Sequence, residues 1–113
     1  MDKFMFLFRG SDVYQPGQSP EMLQTLKQKM VDWLVILSEK GMHIGSEPLE
    51  SGGKLVNGKN RTIVDSPFGS LKEIVGGCTF VQATDLGEAV EIAKSCPILD
   101  TNATIEVRPV QKL

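Results

Sequence analysis

Apolar residues recur along this chain with two different periods, and the alternation between those periods lays out its elements. Phe4, Met5, Phe6, Leu7 and Phe8 form an unbroken apolar run. Successive strand residues point to opposite faces, so this run predicts a central strand covered on both sides. Ser19-Pro20-Glu21 then carries the marks of a helix start: a serine N-cap, proline at the first helical position and an acid in the first turn. Leu23, Leu26, Met30, Trp33, Leu34 and Leu37 follow at helical spacing, and Lys40-Gly41 is a fitting end. The pattern predicts an amphipathic helix of about twenty residues.

Met42 to Glu47 reads as a strand stopped by Pro48. Lys54 to Val56 and Lys59 to Val64 flank Asn57-Gly58, which predicts a hairpin with both of those residues at positive φ in its turn. Asp65 to Gly69 is a turn. Ile74 to Ala83 is a strand interrupted by Gly76-Gly77, a pair expected at a bulge or a close backbone approach, with helix 1 or a ligand as the neighbour. Asp85 and Glu88 have capping-box spacing, and a second helix runs to about Ser95 before Pro97. Thr104 to Val110 alternates, with Ile105 and Val107 on one face and Thr104, Glu106 and Arg108 on the other.

The order strand, helix, strand, hairpin, strand, helix, strand belongs to the α+β class. It predicts a ferredoxin-like βαββαβ sandwich with an inserted β-hairpin: one antiparallel sheet and two helices on one of its faces. The first strand is apolar on both sides and the chain offers no third helix. The uncovered face therefore predicts closure by a second copy, a homodimer with a hollow beside the long helix.

The 113 residues fit one domain, spanning 1–113. At this length a chain buries roughly two-thirds of its unfolded surface, enough for one core without disulfides or metals. With 41% hydrophobic and 23% charged residues, disorder is excluded. The net charge of −2, without like-charge blocks, gives no footprint for nucleic acid or an anionic membrane. The first apolar run is too short for a signal core or a span. Cys78 and Cys96 form no CxxC, so reduced, buried thiols and a cytoplasmic location are expected.

Asp65-Ser66-Pro67-Phe68, then Lys72-Glu73, then Gly76-Gly77 resembles the signature of the YCII-related proteins, and more narrowly of their DGPF branch. Trp33 in mid-helix, Gly41 after that helix and terminal Glu106-Val107-Arg108-Pro109 extend the resemblance over essentially the whole chain. It implies a dimeric α+β barrel of two ferredoxin-like subunits packed sheet to sheet. It also implies, for some relatives, chemistry on small aromatic or lactone-like compounds by a His and an Asp near helix 1, and an association with sigma factors. This chain departs from the pattern. Met30 stands at the helix-1 histidine position, Glu39 near the acid position, Ser66 at the motif glycine and Ser70 in the spacer. A methionine transfers no proton, so the dyad does not carry over.

The candidate residues each have two readings. Asp65 caps its turn through backbone N–H groups, or stands as a base at a cleft mouth. Lys72 is a solvated charge or an anion anchor, and Arg108 an ion-pair partner of Glu106 or an anion site. Trp33, Met30 and Phe68 are core, or line an apolar pocket between helix 1 and the sheet. His43, the only histidine, is a satisfied structural residue or a second catalytic candidate. No metal set and no nucleophile partner for His43 is evident, and no cofactor is expected. The leading reading is a homodimer that binds a small organic ligand, with cofactor-free proton transfer, elimination or isomerisation through Asp65 as its chemistry. The competing reading is a non-catalytic sensing or protein-interaction module tied to a sigma factor.

Overall fold

The structure, a computed structural model, describes residues 1–10, 18–50, 52–65 and 73–113. Its elements run β1 (Asp2–Arg9), α1 (Pro20–Glu39), β2 (His43–Pro48), β3 (Lys54–Asn57), β4 (Thr62–Asp65), β5 (Val75–Ala83), α2 (Leu86–Lys94), a short 3-10 turn (Pro97–Asp100) and β6 (Thr104–Pro109). The main sheet has the order β2-β5-β1-β6, with every pairing antiparallel. With β3–β4 set aside as a separate two-stranded sheet, this is the ferredoxin-like arrangement with an inserted hairpin.

Local chemistry explains where α1 begins and ends. Ser19 Oγ accepts the N–H of Met22, Pro20 occupies the first helical position, and Glu21 lies in the first turn. Gly41 ends it at φ +71°, the left-handed conformation that glycine adopts at no steric cost. α2 begins with Asp85 Oδ1 accepting the Glu88 N–H at 2.8 Å, while Glu88 reaches back to the N–H of Thr84, one residue before the cap.

One face of the sheet is sealed. Phe4, Phe6, Phe8, Val81 and Ala83 are buried against Trp33, Leu37, Ala89, Ile92, Ala93, Cys96 and Ile98. The Phe6 and Trp33 rings stack with centroids 6.5 Å apart. On the other face Met5, Leu7, Cys78 and Phe80 are only half-buried, and Lys3 Nζ lies 5.8 Å from the centre of the Phe80 ring.

Two local expectations need correction. The hairpin forms, but Asn57 closes β3 opposite Thr62, and the loop is Gly58 to Arg61 with positive φ at those two ends. The extra loop residues suit the strand twist without placing Asn57 in the turn. Gly76 is the extra residue of a bulge opposite Phe8 and Arg9. A Cβ on Gly77 would lie 3.0 Å from the Glu47 carbonyl oxygen, so its close protein neighbour is the end of β2 and not helix 1.

Candidate functional site

A groove among the described residues lies between the two helices. One side of α1 contributes Lys29, Asp32, Trp33, Ile36, Leu37 and Lys40, spaced by three and four residues so that they share a stripe. Glu88, Glu91, Ile92 and Ser95 form the α2 bank, and the groove encloses about 550 Å³. Its floor is fixed: the Trp33 indole N–H donates to Ser95 Oγ at 2.9 Å, and Ser95 donates to the Ile92 carbonyl at 2.6 Å. On the rim Glu91 pairs with Lys94, Asp32 accepts from Gln28, and Lys29 is 4.0 Å from Asp100. Among the described residues, Phe6, Trp33 and Leu37 pack together between α1 and the sheet, where the sequence pointed to a pocket.

A second grouping sits at the outer edge of the sheet. His43 Nε2 is 2.9 Å from Ser46 Oγ, and Ser46 Oγ is 2.9 Å from Thr79 Oγ1. The other ring nitrogen, Nδ1, is 3.3 Å from Ser38 Oγ near the end of α1. Residues three apart on a regular strand point to opposite faces. The register slips between His43 and Gly45, and this irregularity puts His43 and Ser46 on one face.

The YCII-related domain model matches residues 4–113, nearly the entire chain. The chain belongs to the YCII-related family. No curated protein matches it.

Within this YCII-related domain the residues nominated from the sequence are dispersed. Trp33 is buried at the groove floor. Met30 packs against the core with its sulfur 3.7 Å from Cys96 Sγ. Burial pushes the Cys96 thiol up to about 11. Asp65 closes the exposed hairpin, where it forms a close ion pair with Lys54, and it does not line the groove. Arg108 lies opposite Met5 on the open face and donates to Glu106, its neighbour on the same strand, at 3.1 Å. Arg9 holds the other side of Glu106 at 3.1 Å. Hydrogen bonds from Arg108 and then Arg9 hold the Glu106 carboxyl below its ordinary value. Phe68 and Lys72 lie outside the described residues.

Sequence reasoning missed Ser38, Ser46 and Thr79. The available signal was His43-Ile44-Gly45-Ser46, in which a glycine inside a short strand marks a place where the pairing can slip. Among the described residues no three His, Cys, Asp or Glu side chains gather at metal-binding distance, and no helix is long and apolar enough to cross a membrane.

Proposed function

We propose that this YCII-related domain binds a small organic molecule in the groove between α1 and α2, and that it does so as a homodimer closed over the open face of the sheet. The observation that carries the binding reading is the groove itself. Its volume of about 550 Å³ falls in the range of small-molecule sites, and Trp33, Ile36, Leu37, Met42, Ile92 and Pro97 give it an apolar interior with charges at the rim. The indole is already held by Ser95 and Phe6, so a ligand meets a surface that needs no reordering. Asp65 has no part in this reading, since its carboxylate is engaged by Lys54 on the hairpin.

The homodimer rests on a different observation. Met5, Leu7, Cys78 and Phe80 form an apolar strip across β1 and β5, and no described element of the chain packs over it. A surface of this kind in a small domain is the mark of association. Light scattering at micromolar protein tests it, and a monomer there refutes it.

Trp33 is the only tryptophan, so its emission reports directly on the groove. Titration with a panel of small carboxylates and phenols should give a saturable emission change and a higher melting midpoint for at least one compound. Ile36 is 50% exposed, so Ile36→Glu should leave the fold intact and abolish both responses. A panel that moves neither emission nor midpoint overturns the groove as a ligand site.

A further inference from the structure

We propose that Ser46 and His43 form a nucleophile–base pair at the edge of the sheet, able to accept the acyl group of a small activated ester. The proposal does not depend on the groove reading. It follows from the chain of close contacts Thr79–Ser46–His43–Ser38, which begins at a buried hydroxyl.

Thr79 is 1% exposed, and the hydrogen-bond partner of its side chain is Ser46 Oγ at 2.9 Å. A buried hydroxyl hydrogen left without an acceptor is costly, so Thr79 donates and Ser46 accepts. Ser46 then keeps its own hydrogen for a second partner, and His43 Nε2 lies within reach at 2.9 Å. The pair acts in the tautomer with Nε2 unprotonated and accepting from Ser46, in which Nδ1 carries the proton and faces Ser38 Oγ at 3.3 Å. The result is a serine hydroxyl within hydrogen-bond reach of an imidazole that a third group contacts from behind, which is the geometric requirement for an activated serine. The sequence alone supplied no nucleophile for His43, because only the slipped register between His43 and Gly45 brings Ser46 to the same face.

Access fits the same chemistry. β2 is an edge strand, and His43 and Ser46 are half-buried rather than sealed. An edge strand also turns one row of backbone N–H groups away from the sheet, the donor type that a tetrahedral oxyanion needs.

In the forward step Ser46 Oγ bonds to the ester carbonyl carbon while its proton passes to His43 Nε2. The carbon–oxygen bond to the leaving group then breaks, and His43 returns the proton to the departing phenolate or alkoxide. Water attacks the acyl-serine with the same imidazole as base, which releases the carboxylic acid and restores Ser46. The group behind His43 is the neutral Ser38 hydroxyl instead of a carboxylate, so the imidazolium gains little electrostatic support. The substrate class is accordingly esters with good leaving groups, and not amides.

The test exposes the full chain to a fluorophosphonate and, separately, to p-nitrophenyl acetate, followed by intact mass and peptide mapping. One phosphonyl or acetyl group should appear on Ser46. Its rate should fall by roughly a hundredfold in His43→Gln. Ser46→Ala should abolish the label, and circular dichroism melts confirm that the variants remain folded. If Ser46→Ala unfolds because Thr79 loses its acceptor, Ser46→Cys replaces it, and the same site should then be acylated on sulfur. Absence of label on Ser46 in the folded wild type, label confined to lysines, or equal labelling of wild type and His43→Gln overturns the proposal.

Discussion

The two faces of the main sheet are built from alternating residues of the same strands, yet they have different fates. From β1, Phe4, Phe6 and Phe8 go to the helical side and are 3%, 0% and 5% exposed, while Met5 and Leu7 go to the other side and stay half-buried. From β5, Val81 and Ala83 are sealed, while Cys78 and Phe80 are not. Both faces are apolar at their centre, so hydrophobicity alone does not distinguish them. Cover does: α1 and α2 lie over one face, and no described element packs over the other. A strand that is apolar on both sides calls for two covers, and among the described residues the helices supply one.

The sharpest way to break the comparison is to remove a residue from the sealed face. Phe6→Ala deletes a fully buried ring stacked on Trp33 and should cost about 3–5 kcal/mol, read from urea unfolding. The same kind of change on the open face should act differently. Phe80→Glu should leave the monomer's unfolding free energy within about 1 kcal/mol of its starting value, because the side chain is not enclosed. It should instead abolish the proposed dimer in light scattering. A large loss of monomer stability from Phe80→Glu would mean that the face is covered by the chain itself.

The cysteines mark the two faces with one chemistry. Cys96 is 2% exposed and burial pushes its thiol up to about 11, whereas Cys78 is half-buried on the open face. The thiolate is the reactive form, so a maleimide near neutral pH should label Cys78 well over tenfold faster than Cys96. Closure by a second copy adds a concentration dependence. Cys78 should be labelled more slowly as the protein concentration rises, and Cys96 should not change.

Most of this architecture was legible in the residues. The helical period of Leu26, Met30, Trp33 and Leu37, the caps at Ser19 and Asp85, and the apolar run of β1 each depend on neighbours within a turn or two, and each gave an element in its observed place. The order of elements then leaves few ways to close the sheet. What sequence did not reveal depends on register between distant strands. The slip at Ile44 arises from pairing with β5, and without it His43 and Ser46 face apart. The close neighbour of Gly77 is Glu47 for the same reason: the two are brought together by the sheet and not by the chain. The site nominations were scattered by the same effect. Asp65 and Arg108 were read from a motif and from an alternation, and neither says which face of which sheet they join.

The smallest expected effect lies at the rim of the open face, where Glu106 stands between Arg9 and Arg108. Their hydrogen bonds hold its carboxyl below its ordinary 4.5, so the folded chain releases this proton more readily than the unfolded chain. The stabilisation is therefore complete above 4.5 and is lost as pH falls from there through the depressed folded value. Glu106→Gln should flatten the acid limb of a plot of urea midpoint against pH and leave its slope above that range unchanged. The carboxylate is partly solvated, so the difference should be small and should shrink with added salt. Here too the two faces can be told apart. If a second copy closes over Met5, Leu7 and Phe80, it also excludes water from this neighbouring ion cluster, and the wild-type acid limb should steepen as protein concentration increases. An acid limb independent of concentration would mean that the rim, and the apolar strip beside it, remain in water.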